Sequence, residues 1–270
     1  MNAKSMFKSA ESLLALGILS AAMLGPSVFA QSMPAQATAA NRYDNQIQTK
    51  ISQKLEAKSQ FRDVKSSVED GIVTLTGTVD LYQRKLDAAK AARKVADVQG
   101  VRNLIAVAGP NVPDEQLTLQ LAKKLTYVRV GYDNTFDYFA LGVKDGVVTV
   151  EGQDRTGIGR DEALADIYNM PGVRDVVDNI AVEPTSIYDD GLRLREARAI
   201  YGDPVLSKYA IDPAKPIRII VANGHVALYG MVDNKMDKQV AGMRAGQIFG
   251  AFTVDNKLEV RTNPADQPGM

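Results

Sequence analysis

The 270-residue chain has no cysteine, no tryptophan and a single histidine, His225. Without cysteine there is no disulfide, no thiol nucleophile and no thiolate-held zinc or iron–sulfur cluster. With one histidine, a Ser-His-Asp triad would have to use His225, and no histidine cluster can hold a metal. An excess of either charge is lacking too: 32 basic residues balance 32 acidic ones. That balance argues against a generic nucleic-acid binder, which is normally basic. There is no phosphate-cradling loop, nucleophile elbow or paired-carboxylate motif. The lone Gly157-Ile158-Gly159 lacks the third glycine and the preceding strand of a dinucleotide site. What remains is an ordinary globular composition, 45% apolar and 24% charged, long enough for one to three domains. These absences favour binding over catalysis: no enzyme, no cofactor, no metal and no small-molecule substrate are expected.

Residues 1–30 read as a secretory signal peptide. Lys4 and Lys8 precede an apolar run from Leu13 to Leu24, too short to span a bilayer comfortably. Gly25 and Pro26 break the run, and Val28-Phe29-Ala30 has the small-residue pattern of a cleavage site. The alternative is an uncleaved anchor; a lipid anchor is excluded by the missing cysteine. Residues 31–41 are small and polar and read as a flexible leader. The expected location is the periplasm.

Internal repetition dominates the rest. Asp70-Gly71, Asp145-Gly146 and Asn223-Gly224 each open an alternating apolar/polar run that reaches a second glycine, Gly77, Gly152 or Gly230. A further pattern follows each, around Gly100, Gly172 and Gly250. Asp-Gly or Asn-Gly between alternating runs is a strong hairpin signal, because the turn needs positive φ at both central residues. The second glycine is expected to end the strand or allow a bulge. The third is expected to stop a helix in the left-handed conformation. Gly100 lies 29 residues after Gly71, whereas Gly172 and Gly250 lie 26 after their partners.

Helical stretches are expected at 81–97, 158–169 and 234–248, and last strands at 101–107, 173–182 and 252–260. Each unit also opens with an amphipathic helix: Ile47, Ile51 and Leu55 in the first and Leu117, Leu121 and Leu125 in the second recur every fourth residue. In the third, Leu194, Ala197, Ile200 and Tyr201 are the expected apolar face. The fold class is therefore α/β, as an α+β sandwich. Three tandem α-β-β-α-β domains each place two helices on one face of a three-stranded mixed sheet, through a right-handed crossover.

The D/N-G-x-V-x-L-x-G-x-V hairpin and the later V-x-G-V-x-x-V-x-N-x-(I/L)-x-V strand resemble the BON domain. The resemblance covers about residues 43–262. The first copy carries Gly71, Val73, Leu75, Gly77, Val79, Gly100, Asn103 and Ile105. The second matches with Asn179 aligned to Asn103, and the third has Asn256, Ala251 in place of the usual valine, and a long insertion before its first strand. The boundaries are 42–109, 112–184 and 187–262, followed by a disordered tail at 263–270. The resemblance implies a non-enzymatic envelope module that associates with phospholipid membranes, and a protective role under osmotic or envelope stress is part of that expectation. The alternative is a protein–protein or chaperone-like module. The expected partner is a phospholipid membrane surface or an envelope protein, not nucleic acid.

Division along the repeats changes the charge balance. Residues 41–110 hold 12 basic and 8 acidic residues, residues 111–184 hold 7 and 13, and residues 185–262 hold 11 and 9. Lys50, Lys54 and Lys58 form a row beside Ile47, Ile51 and Leu55, and are the candidate lipid-binding residues; their lysine stems can lie along apolar surface while the ammonium groups reach phosphates. The plain alternative is the solvated edge of a surface helix. Tyr127, Tyr132, Phe136, Tyr138 and Phe139 form either an exposed aromatic patch or core and loop cover. Asp133, Asn134 and Asp137 do not have the spacing of a calcium loop. His225 takes the strand position held by Ile72 and Val147. Whether the acidic middle unit docks on its basic neighbours is open.

Overall fold

The computed structural model describes residues 35–128, 135–212 and 215–261. The expected signal peptide, the tail at 263–270 and Tyr132, Asp133 and Asn134 lie outside the described residues.

The first group of elements is α1 (Ala35–Glu56), β1 (Val64–Glu69), β2 (Ile72–Val79), α2 (Tyr82–Arg93), β3 (Gly100–Asn103) and β4 (Ala106–Val107). The second is α3 (Asp114–Val128), β5 (Tyr138–Lys144), β6 (Val147–Asp154), α4 (Ile158–Tyr168) and β7 (Asp175–Val182). The third is α5 (Ile187–Tyr201), β8 (Arg218–Ala222), β9 (His225–Tyr229), β10 (Met231–Val232), α6 (Lys235–Gly246), β11 (Thr253–Asn256) and β12 (Glu259–Val260). In each, an antiparallel hairpin pairs with a parallel strand delivered by the second helix. Equivalent pairs are Val73 with Val101, Val148 with Val176, and Val226 with Val254. α1 starts at Ala35, so residues 35–41 of the expected flexible leader are helical, in keeping with their four alanines and the helix propensity of that residue.

The hairpin turns form as the Asp-Gly and Asn-Gly pairs require. Asp70, Asp145 and Asn223 have φ of 50°, 54° and 52°, and the glycine after each lies between 74° and 77°. The second glycine does not end the strand in the first two groups: Gly77 and Gly152 lie within β2 and β6. There the partner strand comes so close that a Cβ on Gly77 would sit 2.0 Å from the Asp63 carbonyl oxygen.

Three buried clusters form the cores. Ile47, Ile51 and Leu55 pack over Val73 and Leu75; Leu117 and Leu121 belong with Val148 and Val150; Leu192 and Ile200 belong with Val226 and Leu228. Alternation along β2, β6 and β9 places these strand residues on one face.

Four sequence expectations need correction. Gly100 does not hold the left-handed position; it is the first residue of β3, and Asp97 takes that conformation at φ 69°. Gly71 to Asp97 spans 26 residues, the same interval as Gly146 to Gly172 and Gly224 to Gly250, so the apparent three-residue irregularity disappears. α2 consequently ends at Arg93, before the expected 97. The strand opposite Leu75, Val150 and Leu228 carries Asn103, Asp178 and Asn256, so Asp178, not Asn179, matches Asn103. In the third group Leu194 is exposed, and the inward row of α5 is Leu192, Glu196 and Ile200.

The groups are docked. Tyr82 of α2 lies 5.2 Å from the Tyr168 ring, centroid to centroid, and packs against the second core, where burial and the nearby Asp175 carboxylate push its pKa up to about 12. Tyr138 stacks on Tyr229 at 3.9 Å, the Ile219 amide donates to the Thr135 carbonyl at 2.6 Å, and the Arg218 guanidinium donates to the Asp137 carbonyl at 3.1 Å. Arg155 pairs with Asp190 at 3.1 Å, and Asp190 with Arg193 at 2.6 Å. Arg193, buried, also pairs with the buried Glu183 and donates to the Val221 carbonyl. The insertion of the third group is packed as well: Leu206 and Tyr209 are in its core, and the Tyr209 hydroxyl donates to Asp237 at 2.5 Å.

Candidate functional site

The lysine row separates into two parts. Lys50 and Lys54 line an open groove of about 440 Å³ together with Lys94, which follows the last turn of α2. Lys58 lies elsewhere, its ammonium 5.6 Å from the centre of the Phe61 ring. None of the ion pairs among the described residues takes Lys50, Lys54 or Lys94. Gln53, Val95 and Ala96 complete the lining, so three ammonium groups surround a floor without a carboxylate. Such a surface suits a phosphate or another anion.

Sequence reasoning missed Lys94, because it saw the row on α1 and not the end of α2 beside it. The signal was available in the repeats. Each opening helix carries an aspartate whose carboxylate accepts from both amides of the following hairpin turn. Asp44 accepts from Asp70 and Gly71 at 2.9 and 2.8 Å, Asp114 from Asp145 and Gly146 at 2.7 and 2.9 Å, and Asp189 from Asn223 and Gly224 at 2.9 and 2.8 Å. Counting from these aspartates, Lys50 corresponds to Gln120 and Arg195, and Lys54 to Lys124 and Ala199. Counting from the left-handed residue after the second helix, Lys94 corresponds to Asn169 and Gln247. In the second group Lys124 is tied to Asp166 at 3.0 Å. The unopposed trio of cations belongs to the first group.

The remaining sequence candidates have structural surroundings. His225 is exposed at the start of β9, with its Nδ1 2.7 Å from the Thr253 hydroxyl. Phe136 packs against the third core and Phe139 against the second, and Tyr138 is taken by Tyr229. Gly71, Gly77, Gly146, Gly152, Gly172, Gly224, Gly230 and Gly250 all have positive φ and serve the turns and close approaches of the fold.

The most perturbed acid lies on the inner face of α5. Glu196 is fully buried, neither of its carboxylate oxygens has a hydrogen-bond partner among the described residues, and burial pushes its pKa up to about 7, opposed by Arg195. It occupies the position of Ile51 and Leu121 in the other two groups.

Residues 43–109 and 205–262 match the BON domain. The matched segments take in most of the first group and the larger part of the third; residues 110–204 lie outside them. No curated protein matches. Among solved structures, the C-terminal domain of CdsD, a structural protein of the type III secretion system of Chlamydia trachomatis, is 15% identical, with 79% of this chain and 96% of that chain covered at a TM-score of 0.23. The periplasmic domain of the type III secretion inner-membrane protein PrgH from S. typhimurium is 8% identical, with 78% and 100% covered at a TM-score of 0.19. By sequence, then, the chain carries two BON-domain segments.

Proposed function

We propose that this is an exported, non-enzymatic envelope protein of three BON-like domains, 42–109, 112–184 and 187–262, that binds anionic phospholipid surfaces of the periplasm. A protective role under osmotic or envelope stress is part of the same reading. The observation that carries it is the groove of Lys50, Lys54 and Lys94, three cations from two helices with no carboxylate among the residues that line it. Each lysine near an anionic membrane surface contributes roughly 1 kcal/mol, an attraction that salt screens within a Debye length. Three together give reversible, salt-sensitive attachment of the kind expected of a peripheral protein. The signal-like segment at 1–30 and the two BON-domain matches support the location.

Co-sedimentation of the mature chain with phosphatidylglycerol vesicles tests this reading. Binding at low salt that falls on changing Lys50, Lys54 and Lys94 together to Glu, and is unchanged in Lys58→Glu, supports it. Failure of the unaltered chain to pellet at low salt refutes it.

A further inference from the structure

In the third group, the groove beside the first helix is built for apolar contact. It has a volume of about 500 Å³ and lies between the start of α5, the β8–β9 turn and the segment joining α6 to β11. Ile187, Tyr188, Phe249 and Phe252 stand around it, 86%, 90%, 93% and 75% exposed. Arg195 lines the same groove, and its guanidinium approaches the Phe249 carbonyl at 3.4 Å.

The other two groups show that the fold does not require this rim. The amides of Gln99, Arg174 and Phe252 make the same hydrogen bond, to the carbonyls of Gly71, Gly146 and Gly224. Phe252 therefore replaces a glutamine and an arginine. Phe249, three residues earlier, replaces Ala96 and Pro171. Arg195 occupies the position of Lys50 in the basic groove. The two grooves thus overlap at the Lys50/Arg195 and Ala96/Phe249 positions, the first lined by lysines and the second by aromatic residues with a single cation.

Charge narrows the occupant. Among the described residues lining the groove, the carboxylate is that of Asp189, which is buried and already accepts from the two turn amides. Its neighbour Asp190 is held by Arg155 and Arg193, which outweigh the effect of burial and lower its pKa. Exposed phenylalanine, tyrosine and isoleucine around an arginine match the layered chemistry of an anionic bilayer surface, with phosphates outside and acyl chain within. We infer that the third group inserts Ile187, Tyr188, Phe249 and Phe252 into the interfacial layer of an anionic phospholipid bilayer, with Arg195 at the headgroup phosphates. This rests on the membrane reading above and adds a second, salt-resistant attachment to the salt-sensitive one of the first group.

The absence of tryptophan allows a clean test. In the full mature chain, Phe249→Trp creates a single tryptophan at a solvent-exposed position. Vesicles of phosphatidylethanolamine and phosphatidylglycerol are expected to shift its emission to the blue, and brominated acyl chains to quench it. Tyr188→Ser with Phe249→Ser, at positions too exposed to disturb the core, is expected to weaken vesicle binding about tenfold or more at high salt, from the apolar area no longer buried. Circular dichroism confirms that the variants are folded. If the protein pellets with vesicles while the tryptophan keeps its aqueous emission, insertion is wrong and the lysine reading stands. If the emission instead shifts with protein concentration alone, the patch is a protein–protein contact and the inference falls. If nothing pellets, both readings fall together.

Discussion

Asp189, in the first turn of α5, holds the turn glycine Gly224 through a 2.8 Å hydrogen bond from the glycine amide to its carboxylate, across 35 residues of chain. The second carboxylate oxygen takes the amide of Asn223. Two donors that a tight turn leaves without strand partners are thereby satisfied by a charged acceptor, and the first helix is fixed over the hairpin. Asp44 and Asp114 do the same in the other groups.

Replacing Asp189 by Ala is therefore expected to cost about 2–3 kcal/mol, since hydrogen bonds to a charged group contribute more than neutral ones and the buried Gly224 amide loses its acceptor. Asp44→Ala, at a more exposed turn, is expected to cost less. Urea unfolding of each variant, followed by circular dichroism, gives the comparison; equal losses at the two positions would count against burial as the deciding factor.

The reassignment of the third glycine makes a second prediction. Gly172 has φ of 96°, and a Cβ there would meet Val112 at 2.8 Å, whereas Gly100 has ordinary strand geometry and its nearest obstacle is Ile72 at 4.0 Å. Gly172→Ala is expected to lose about 1–3 kcal/mol through strain and collision. Gly100→Ala is expected to stay within about 0.5 kcal/mol of the parent or to gain slightly, because alanine has less freedom to lose on folding. Thermal unfolding midpoints of the two variants decide between this assignment and the one that glycine spacing alone suggests.

The turns, the sheet order and most core positions were legible because they rest on local rules. Asp-Gly and Asn-Gly demand one backbone conformation, and Val73, Leu75, Val148, Val150, Val226 and Leu228 alternate with the strand period. What was not legible depended on substitution within the repeat. Asp97 stands in a left-handed position that glycine takes elsewhere, so matching like with like misplaced Gly100. Asp178 stands where asparagine is expected; Asn103 and Asn256 donate to the carbonyls of Lys85 and Lys238 on the second helix, while Asp178 pairs with Arg160 of α4. The α5 face was misread because Glu196 interrupts its apolar row and Leu194 offered a hydrophobic residue on the wrong side. At the candidate site Lys50 and Lys54 were visible as a helical row, but Lys94 joins them only through tertiary packing.

The junction between the second and third groups depends on a buried pair, Glu183 with Arg193. Burial raises the pKa of Glu183, against the guanidinium beside it. Removing Glu183 leaves the buried Arg193 guanidinium with only the partly exposed Asp190 as a carboxylate partner, so Glu183→Leu is expected to cost about 3 kcal/mol, the low end of the range for breaking a buried pair. The double change Glu183→Leu with Arg193→Met removes both charges and is expected to recover a large part of that loss. A double-mutant cycle in denaturant measures the coupling. A double variant no better than the single one would show that Arg193 acts mainly through its bond to the Val221 carbonyl.

Glu196 makes the stability of the third group depend on pH in the opposite direction from an ordinary paired carboxylate. Its folded pKa is raised from 4.5 to about 7, so between those values the folded chain holds a proton that the unfolded chain has released. Its contribution is most favourable below about pH 4.5, declines as pH rises through that window, and is lost above about 7. A shift of that size corresponds to a loss of about 3 kcal/mol between the limits. Glu196→Leu restores the kind of side chain that Ile51 and Leu121 supply at the same place. It is expected to leave stability at pH 5 little changed, to raise it at pH 8, and to remove this part of the pH slope. Unfolding midpoints of parent and variant at the two values measure it; an unchanged slope would mean that the carboxylate reaches water as the folded protein relaxes.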